Sequence, residues 1–306
     1  MAMRQLYSEE SILGKPPEER SLEECLQYGV VCIDKPQGPT SHEVSAFVKK
    51  ILHTGKTGHT GTLDANVSGV LPVLLNNSCK TAHFIAERNK TYVCIMHLSK
   101  EVGEKELQKA FLHFRGKIYQ TPPLASAVAK KLRMREVFEL KILEVEGRDV
   151  LFSVSAEAGF YVRNLVFDIG EILGIRTEMA ELRRTKAGKF VESDCLTLQE
   201  LSDNYWLSKE RGKEDLKKFI TPIEDVLGLR RVIAADGALH AICTGAHLAI
   251  PGIMALDEKI SKGERVGIYT GKGELVAVAT ALMSANEIKP GEKGWAFDVE
   301  RVIHSF

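Results

Sequence analysis

Residues 54–69 read TGKTGHTGTLDANVSG, a loop with glycines at 55, 58, 61 and 69 around His59 and Asp64. Glycine permits sharp backbone paths and close approach to a bulky ligand, so such a loop can hold an acidic side chain against a substrate. It is not a phosphate-binding P-loop, because G-x-x-x-x-G-K-[ST] is not matched. Taken alone, Asp64 also reads as an ordinary turn aspartate. The loop by itself names no reaction.

The sequence on either side supplies a frame. Upstream, GVVCID (29–34) is a short buried strand, ended by Lys35-Pro36. Thr40 and Glu43 have capping-box spacing. Val44, Phe47, Val48 and Ile51 then fall on one face of a helix. Downstream, Val70 to Leu75 is apolar and strand-like, 79–88 is expected to be helical, and Tyr92 to Leu98 forms another strand. Residues 103–114 form a helix with Leu107, Phe111 and Phe114 inward; Val150 to Ala156 alternates as a strand; Val162 to Leu173 is a helix presenting Leu165, Val166, Ile169 and Leu173. Strands and helices interleave without a strict βαβ repeat, which predicts an α+β domain on a mixed sheet. Past about Arg230 the segments become short, β-rich and glycine-punctuated, with a hairpin signal at Gly271-Lys272-Gly273. The expected organisation is an N-terminal extension (1–27), a catalytic domain (28–225) and a small β domain (229–306).

The 306 residues suffice for two compact domains, and 44% apolar content allows each a core. No stretch approaches the roughly 18 apolar residues of a membrane span, and the N-terminus lacks the apolar core of a secretory signal. A cytoplasmic protein with no membrane association is expected. The six cysteines form no C-x-x-C pair and the nine histidines show no metal spacing, so neither a disulfide framework nor a metal site is expected. The 41 basic and 41 acidic residues cancel, which argues against coating nucleic acid by global charge. Two acid-free basic runs stand out: six basic residues from Arg115 to Arg135, and four from Arg183 to Lys189. Either could track a phosphate backbone.

Several stretches together resemble the pseudouridine synthase B family. GHTGTLDANVSGVL is similar to its signature loop, and IDKPQGPTSHEV to its lysine-proline segment. KTYVCIMHL resembles the segment carrying its tyrosine, and YQTPPLASAV its PP-x-x-SAV stretch. AEAGFYVRNLVFDIGEILG and ELRRTKAGKF resemble its arginine and leucine-arginine-arginine-threonine motifs. They stand in the family's order over about 28–195. Residues 245–281 resemble a PUA domain, a small RNA-binding β-barrel. The short link after Leu98 and the N-terminal segment resemble the archaeal and eukaryotic, dyskerin-like branch; the absence of a lysine-rich tail favours an archaeal member. Two positions depart from the family pattern: Ala65 stands where proline is usual, and Phe160 where a small residue is usual.

The resemblance implies a fold and a chemistry: a mixed-sheet catalytic domain followed by a PUA domain, isomerising uridine in RNA without cofactor or metal. Asp64 would be the catalytic carboxylate, as nucleophile or as base at a sugar proton. Arg163 would pair with it, and Tyr92 would stack on the base. His59, Leu182 and Lys35 would form the substrate pocket, Lys35 and Pro36 chiefly by supporting the loop. Lys130, Lys131, Arg133, Arg183, Arg184, Gly245, Ala246 and Gly252 would contact RNA. The target uridine would be flipped out of its stack. Expected partners are tRNA, rRNA or an H/ACA guide RNA, with small proteins of zinc-ribbon, glycine-arginine-rich and kink-turn-binding types. A stand-alone synthase of the tRNA T-loop and a non-catalytic RNA scaffold are the alternatives.

Overall fold

The computed structural model describes residues 2–86, 88–122, 129–210 and 214–304. The last part of YQTPPLASAV, residues 123–128, lies outside them. Two sheets organise the rest, and the α+β class expected is what is observed.

The first sheet has ten strands. Its main path runs Ile220–Pro222, Gly29–Lys35, Ser68–Leu75, Thr177–Ala187, Lys90–Leu98, Asp149–Ala156, Arg133–Glu146, Gly116–Gln120. Thr57–His59 pairs with Ser68–Leu75, and Phe190–Val191 with Thr177–Ala187. Two antiparallel halves are joined by one short parallel contact, Ser68 to Arg183 and Gly69 to Arg184. Gly69 is required at that joint. Its φ is +104°, and a Cβ would stand 2.2 Å from the Arg184 carbonyl oxygen.

Helices cover the sheet where the strands are apolar. Glu104–Leu112 and Val162–Leu173 bury Leu107, Phe111, Leu165, Val166 and Ile169 against Tyr92, Cys94, Met96 and Leu98. On the other half, Ser41–Ile51 and Leu22–Tyr28 pack on Val31, Ile33, Leu71 and Val73. The capping box at Thr40 and Glu43 is formed as expected. The buried face of its helix differs from the apolar pattern: Ser41, Val44, Ser45 and Val48 point inward, while Phe47 is 40% exposed. Ser41 holds that face because the neighbouring loop bonds to its hydroxyl, which donates to the Leu63 carbonyl; Thr57 Oγ1 donates to the backbone carbonyl of Ser45. The helix expected over 79–88 is a 3-10 turn, Asn76–Thr81, followed by the short helix Ala82–Ala86.

The second sheet has seven strands: Met3–Gln5, Ile253–Asp257, Arg230–Ala234, Arg265–Tyr269, Leu275–Ala281, Trp295–Val302 and Leu248–Ala249. The hairpin turn is closed by the Gly273 N–H bonding to the Thr270 carbonyl. Its strands do not alternate; they are buried almost throughout. One face lies in the domain's own core, with Val276, Ala277 and Ala279. The other meets the first sheet, where Tyr269, Leu275 and Val278 join Val30, Cys32, Val70 and Leu74. Strand Met3–Gln5 comes from the stretch expected as an extension and pairs with Ile253–Asp257.

The junction is locked by charge. Arg20, from the N-terminal stretch, reaches Glu224 at 2.8 and 3.1 Å and Glu274, beside the hairpin turn, at 3.3 Å. All three are at most 5% exposed. Burial alone would lower the Arg20 pKa, but the hydrogen bonds and charges of Glu224 and Glu274 raise it overall. Glu224 also accepts the Leu275 N–H, and Glu274 the Lys15 N–H. Among the described residues no helix is long and apolar enough to cross a membrane. Arg20→Met strands two buried carboxylates without their counter-charge and is expected to cost about 3–5 kcal/mol of stability. Urea unfolding of the full chain measures this; a loss under about 1 kcal/mol would refute the role given to the triad.

Candidate active site

The 54–69 loop is held almost entirely through its backbone. Thr57–His59 pairs with the strand Ser68–Leu75. The chain then turns at Gly61 (φ +73°), where a Cβ would meet Lys90 Cε at 3.0 Å. Leu63 is clamped by one buried hydroxyl: Ser41 Oγ donates to its carbonyl at 2.9 Å and accepts from its N–H at 2.8 Å. On the far side of Asp64, Lys35 Nζ donates to the carbonyls of Val67 (2.7 Å), Pro36 (2.9 Å) and Ala65 (3.2 Å). The Gly38 N–H also bonds to Ala65 O. The rigidity that proline would bring at position 65 is thus supplied by two donors on the Ala65 carbonyl. Lys35 is fully buried, and burial lowers its pKa despite the nearby Asp64 charge. It is a loop support and presents no surface to a ligand, which corrects its expected place among substrate contacts.

With its backbone fixed, Asp64 projects its side chain outward, 59% exposed. Arg163 Nη2 donates to Asp64 Oδ2 at 2.6 Å. Arg163 is the second residue of helix Val162–Leu173. A cation in a first helical turn opposes the helix dipole, and an exposed ion pair contributes only about 0–1 kcal/mol. The pair thus adds little to stability, and its geometry leaves Asp64 Oδ2 held by Arg163. Beneath it, Leu63, Val67, Tyr92, Phe160, Val162 and Leu182 form one buried cluster. Tyr92 and Leu182 sit on adjacent strands, where Cys94 faces Leu182 and Tyr92 faces Arg184. Phe160 fills part of this floor at 7% exposure, which accounts for an aromatic ring at that position. His59 is half-buried, with Nε2 3.4 Å from Thr62 Oγ1. Burial first, then the charges of His42 and Arg184, hold its pKa below 6.5, so its ring is neutral at pH 7.

Beside Arg163 lies a cleft of about 510 Å³, lined by Tyr119, Gln120, Leu132, Asn164 and Phe167 among others. Tyr119, Leu132 and Phe167 are 61–67% exposed. Phe167 lies on the outer face of its helix, where the inward pattern of Leu165, Val166 and Ile169 leaves it. Among the described residues no group of three or more His, Cys, Asp or Glu is placed to hold a metal.

The expected RNA contacts divide. Lys130 and Lys131 are exposed and Arg133 half-buried. Gly245 is exposed, with Ala246 and Gly252 half-buried. Arg184 is not a surface residue: it is 0% exposed and its Nε donates to Val70 O at 2.7 Å. The parallel joint swallows it. Arg183 is occupied by Asp34 at 2.9 and 3.0 Å and by Glu192 at 2.5 Å.

The sequence relationships give this arrangement, a mixed sheet bearing a scaffolded aspartate followed by a small β domain, its class: a pseudouridine synthase carrying a PUA domain. Residues 49–162 match the N-terminal domain of TruB family pseudouridylate synthases, and 163–228 the tRNA pseudouridylate synthase B C-terminal domain. Residues 230–303 match the PUA domain, and 1–45 the DKCLD (NUC011) domain. A probable tRNA pseudouridine synthase B of Archaeoglobus fulgidus is 47% identical over 95% of this chain and 90% of its own length. One from Methanocaldococcus jannaschii is 50% identical over 94% and 87%. The crystal structure of a Cbf5-Nop10-Gar1 complex contains a chain with TM-score 0.90 and 44% identity, covering 99% of this chain and 94% of that one. An H/ACA RNP bound to a substrate RNA containing 2'-deoxyuridine gives 0.88 and 42%, over 99% and 95%. The chain belongs to the TruB family of pseudouridylate synthases, and within it is similar to archaeal Cbf5.

Lys35→Met removes the donors that fix the backbone after Asp64. A misplacement of the reacting group by about 1 Å costs on the order of 10²-fold. Turnover is expected to fall by about that factor with RNA affinity unchanged, as read by single-turnover assays beside filter binding.

Proposed function

We propose that the chain isomerises uridine to pseudouridine in RNA, with Asp64 as the catalytic carboxylate. The observation that carries this is the Asp64–Arg163 pair, set on a backbone-clamped loop above Tyr92 and Leu182. The nitrogen–carbon glycosidic bond of the uridine breaks, the base turns, and a carbon–carbon bond forms. The carbon-five proton leaves to solvent and the freed ring nitrogen gains one, so no redox partner is required. Asp64 acts at the flipped nucleotide as nucleophile or as base toward a sugar proton. Arg163 orients the carboxylate. Tyr92 and Leu182 support the base, and neutral His59 offers a stacking face. Extruding the uridine costs a few kcal/mol, offset by these contacts.

We assign the chemistry to 28–225 and RNA positioning to 229–306, with the Gly245–Gly252 strip as the PUA contact and Lys130, Lys131 and Arg133 as backbone contacts. Similarity to chains solved in a Cbf5-Nop10-Gar1 complex and in a substrate-bound H/ACA RNP supports a catalytic subunit of a guide-RNA particle. In that setting the small protein partners share the RNA binding, which suits a chain of zero net charge. The relatives named as tRNA pseudouridine synthases favour stand-alone action on tRNA as a second reading. Both readings take the activity as cytoplasmic, in keeping with archaeal relatives.

Tritium release from RNA labelled at carbon five of uridine tests the chemistry. Wild type is expected to release label, and Asp64→Asn to lose at least about 10³-fold, the scale seen when a principal catalytic group is removed. Release that survives the substitution refutes the assignment of Asp64. Release from tRNA without guide RNA or partner proteins selects the stand-alone reading; release only with them selects the particle.

A further inference from the structure

Behind the active-site loop is a second cleft, of about 390 Å³, that the proposed chemistry does not use. It lies on the face of the sheet opposite Tyr92. Thr91 points into it, and Thr91 is paired across the sheet with Ser155 on one side and Lys186 on the other. Thr91 Oγ1 donates to Ser155 Oγ at 3.2 Å, so two hydroxyls and an ammonium stand in one row. Arg88 and Lys189 flank that row. The remaining wall is residues 225–228, and the Arg88 guanidinium is fixed there by the Leu227 carbonyl.

Three features give the cleft a ligand class. Three cations face one carboxylate, Asp225, among its described lining residues. Lys186 and Lys189 are exposed and have no ion-pair partner among the described residues, in contrast to Arg183. The basic run at 183–189 is thus an ion-paired arginine and a buried one, followed by two lysines delivered to this cleft. Its position is the third feature. Lys90, next to Thr91, lies beneath Gly61, three residues before Asp64 in the loop. The 225–228 wall leads directly into the PUA match at 230–303.

Resting on the proposed function, we infer that this cleft holds a phosphate–ribose unit of the RNA backbone between the PUA domain and Asp64. Hydroxyls and ammonium groups suit phosphate oxygens and a ribose edge, and among the described lining residues no aromatic side chain is present to stack on a base.

The test is equilibrium binding of a tRNA transcript to the full chain across a salt series, for wild type and for the double variant Lys186→Gln/Lys189→Gln. Each phosphate contact contributes about 0.7–0.9 to the slope of log affinity against log salt. The double variant is expected to bind on the order of 10-fold more weakly near 0.1 M salt and to lose between about 1 and 2 from the slope. Unchanged affinity and slope overturn the proposal. So does an equal loss in Lys49→Gln/Lys50→Gln, two exposed lysines that do not line the cleft. AMP binding as tightly as RNA overturns the assignment to an RNA strand. Because binding and not turnover is read, Asp64→Asn bearing wild-type lysines must show the wild-type slope; loss of tritium release alone leaves the cleft's result standing.

Discussion

Arg20, Glu224 and Glu274 meet in a space from which water is excluded, and each comes from a different part of the chain. Desolvating three charges costs several kcal/mol per ion, and their attraction repays this only in good geometry. A junction of apolar residues alone would be as stable and less particular about its angle. The directional bonds of a guanidinium to two carboxylates fix how the second sheet sits against the first. The triad thus fixes the second sheet against the domain that carries Asp64.

A second constraint operates inside the first domain. The Asp64 side chain is exposed, yet the backbone on both sides of it is held. The loop resolves this by dividing the tasks. Backbone atoms take the restraint, from Ser41 on one side and Lys35 on the other, and the Asp64 side chain is left to Arg163. A buried lysine spent on carbonyl groups is expensive. It is tolerable here because three acceptors share the ammonium.

Much of this is legible in the sequence. The capping box at Thr40, helix Val162–Leu173 and strand Gly29–Lys35 follow local rules of spacing and capping, and they form as those rules require. What was not legible depends on partners distant in sequence. Phe47 looks inward by periodicity but yields that face to residues such as Ser41, whose hydroxyl bonds to Leu63, 22 residues along the chain. Arg184 looks like surface charge until the parallel joint at Gly69 encloses it. Arg183 reads as a free cation until Asp34 and Glu192 are brought to it. The motif order pointed to the aspartate, tyrosine and arginine as candidates; nothing local marked Ser41 as the hydroxyl that holds the loop.

The strand Met3–Gln5 carries a consequence for biogenesis. It is the edge strand of the second sheet, and its partner, Ile253–Asp257, is translated roughly 250 residues later. At about 5–20 residues per second, the leading segment waits on the order of ten to fifty seconds for the sheet it completes. During that interval the first domain can fold while Met3–Gln5 has no ladder to join, and the Arg20 guanidinium has neither of its carboxylates. Closure of the two ends therefore cannot begin before Asp257 has been made, long after the strands of the first domain are complete.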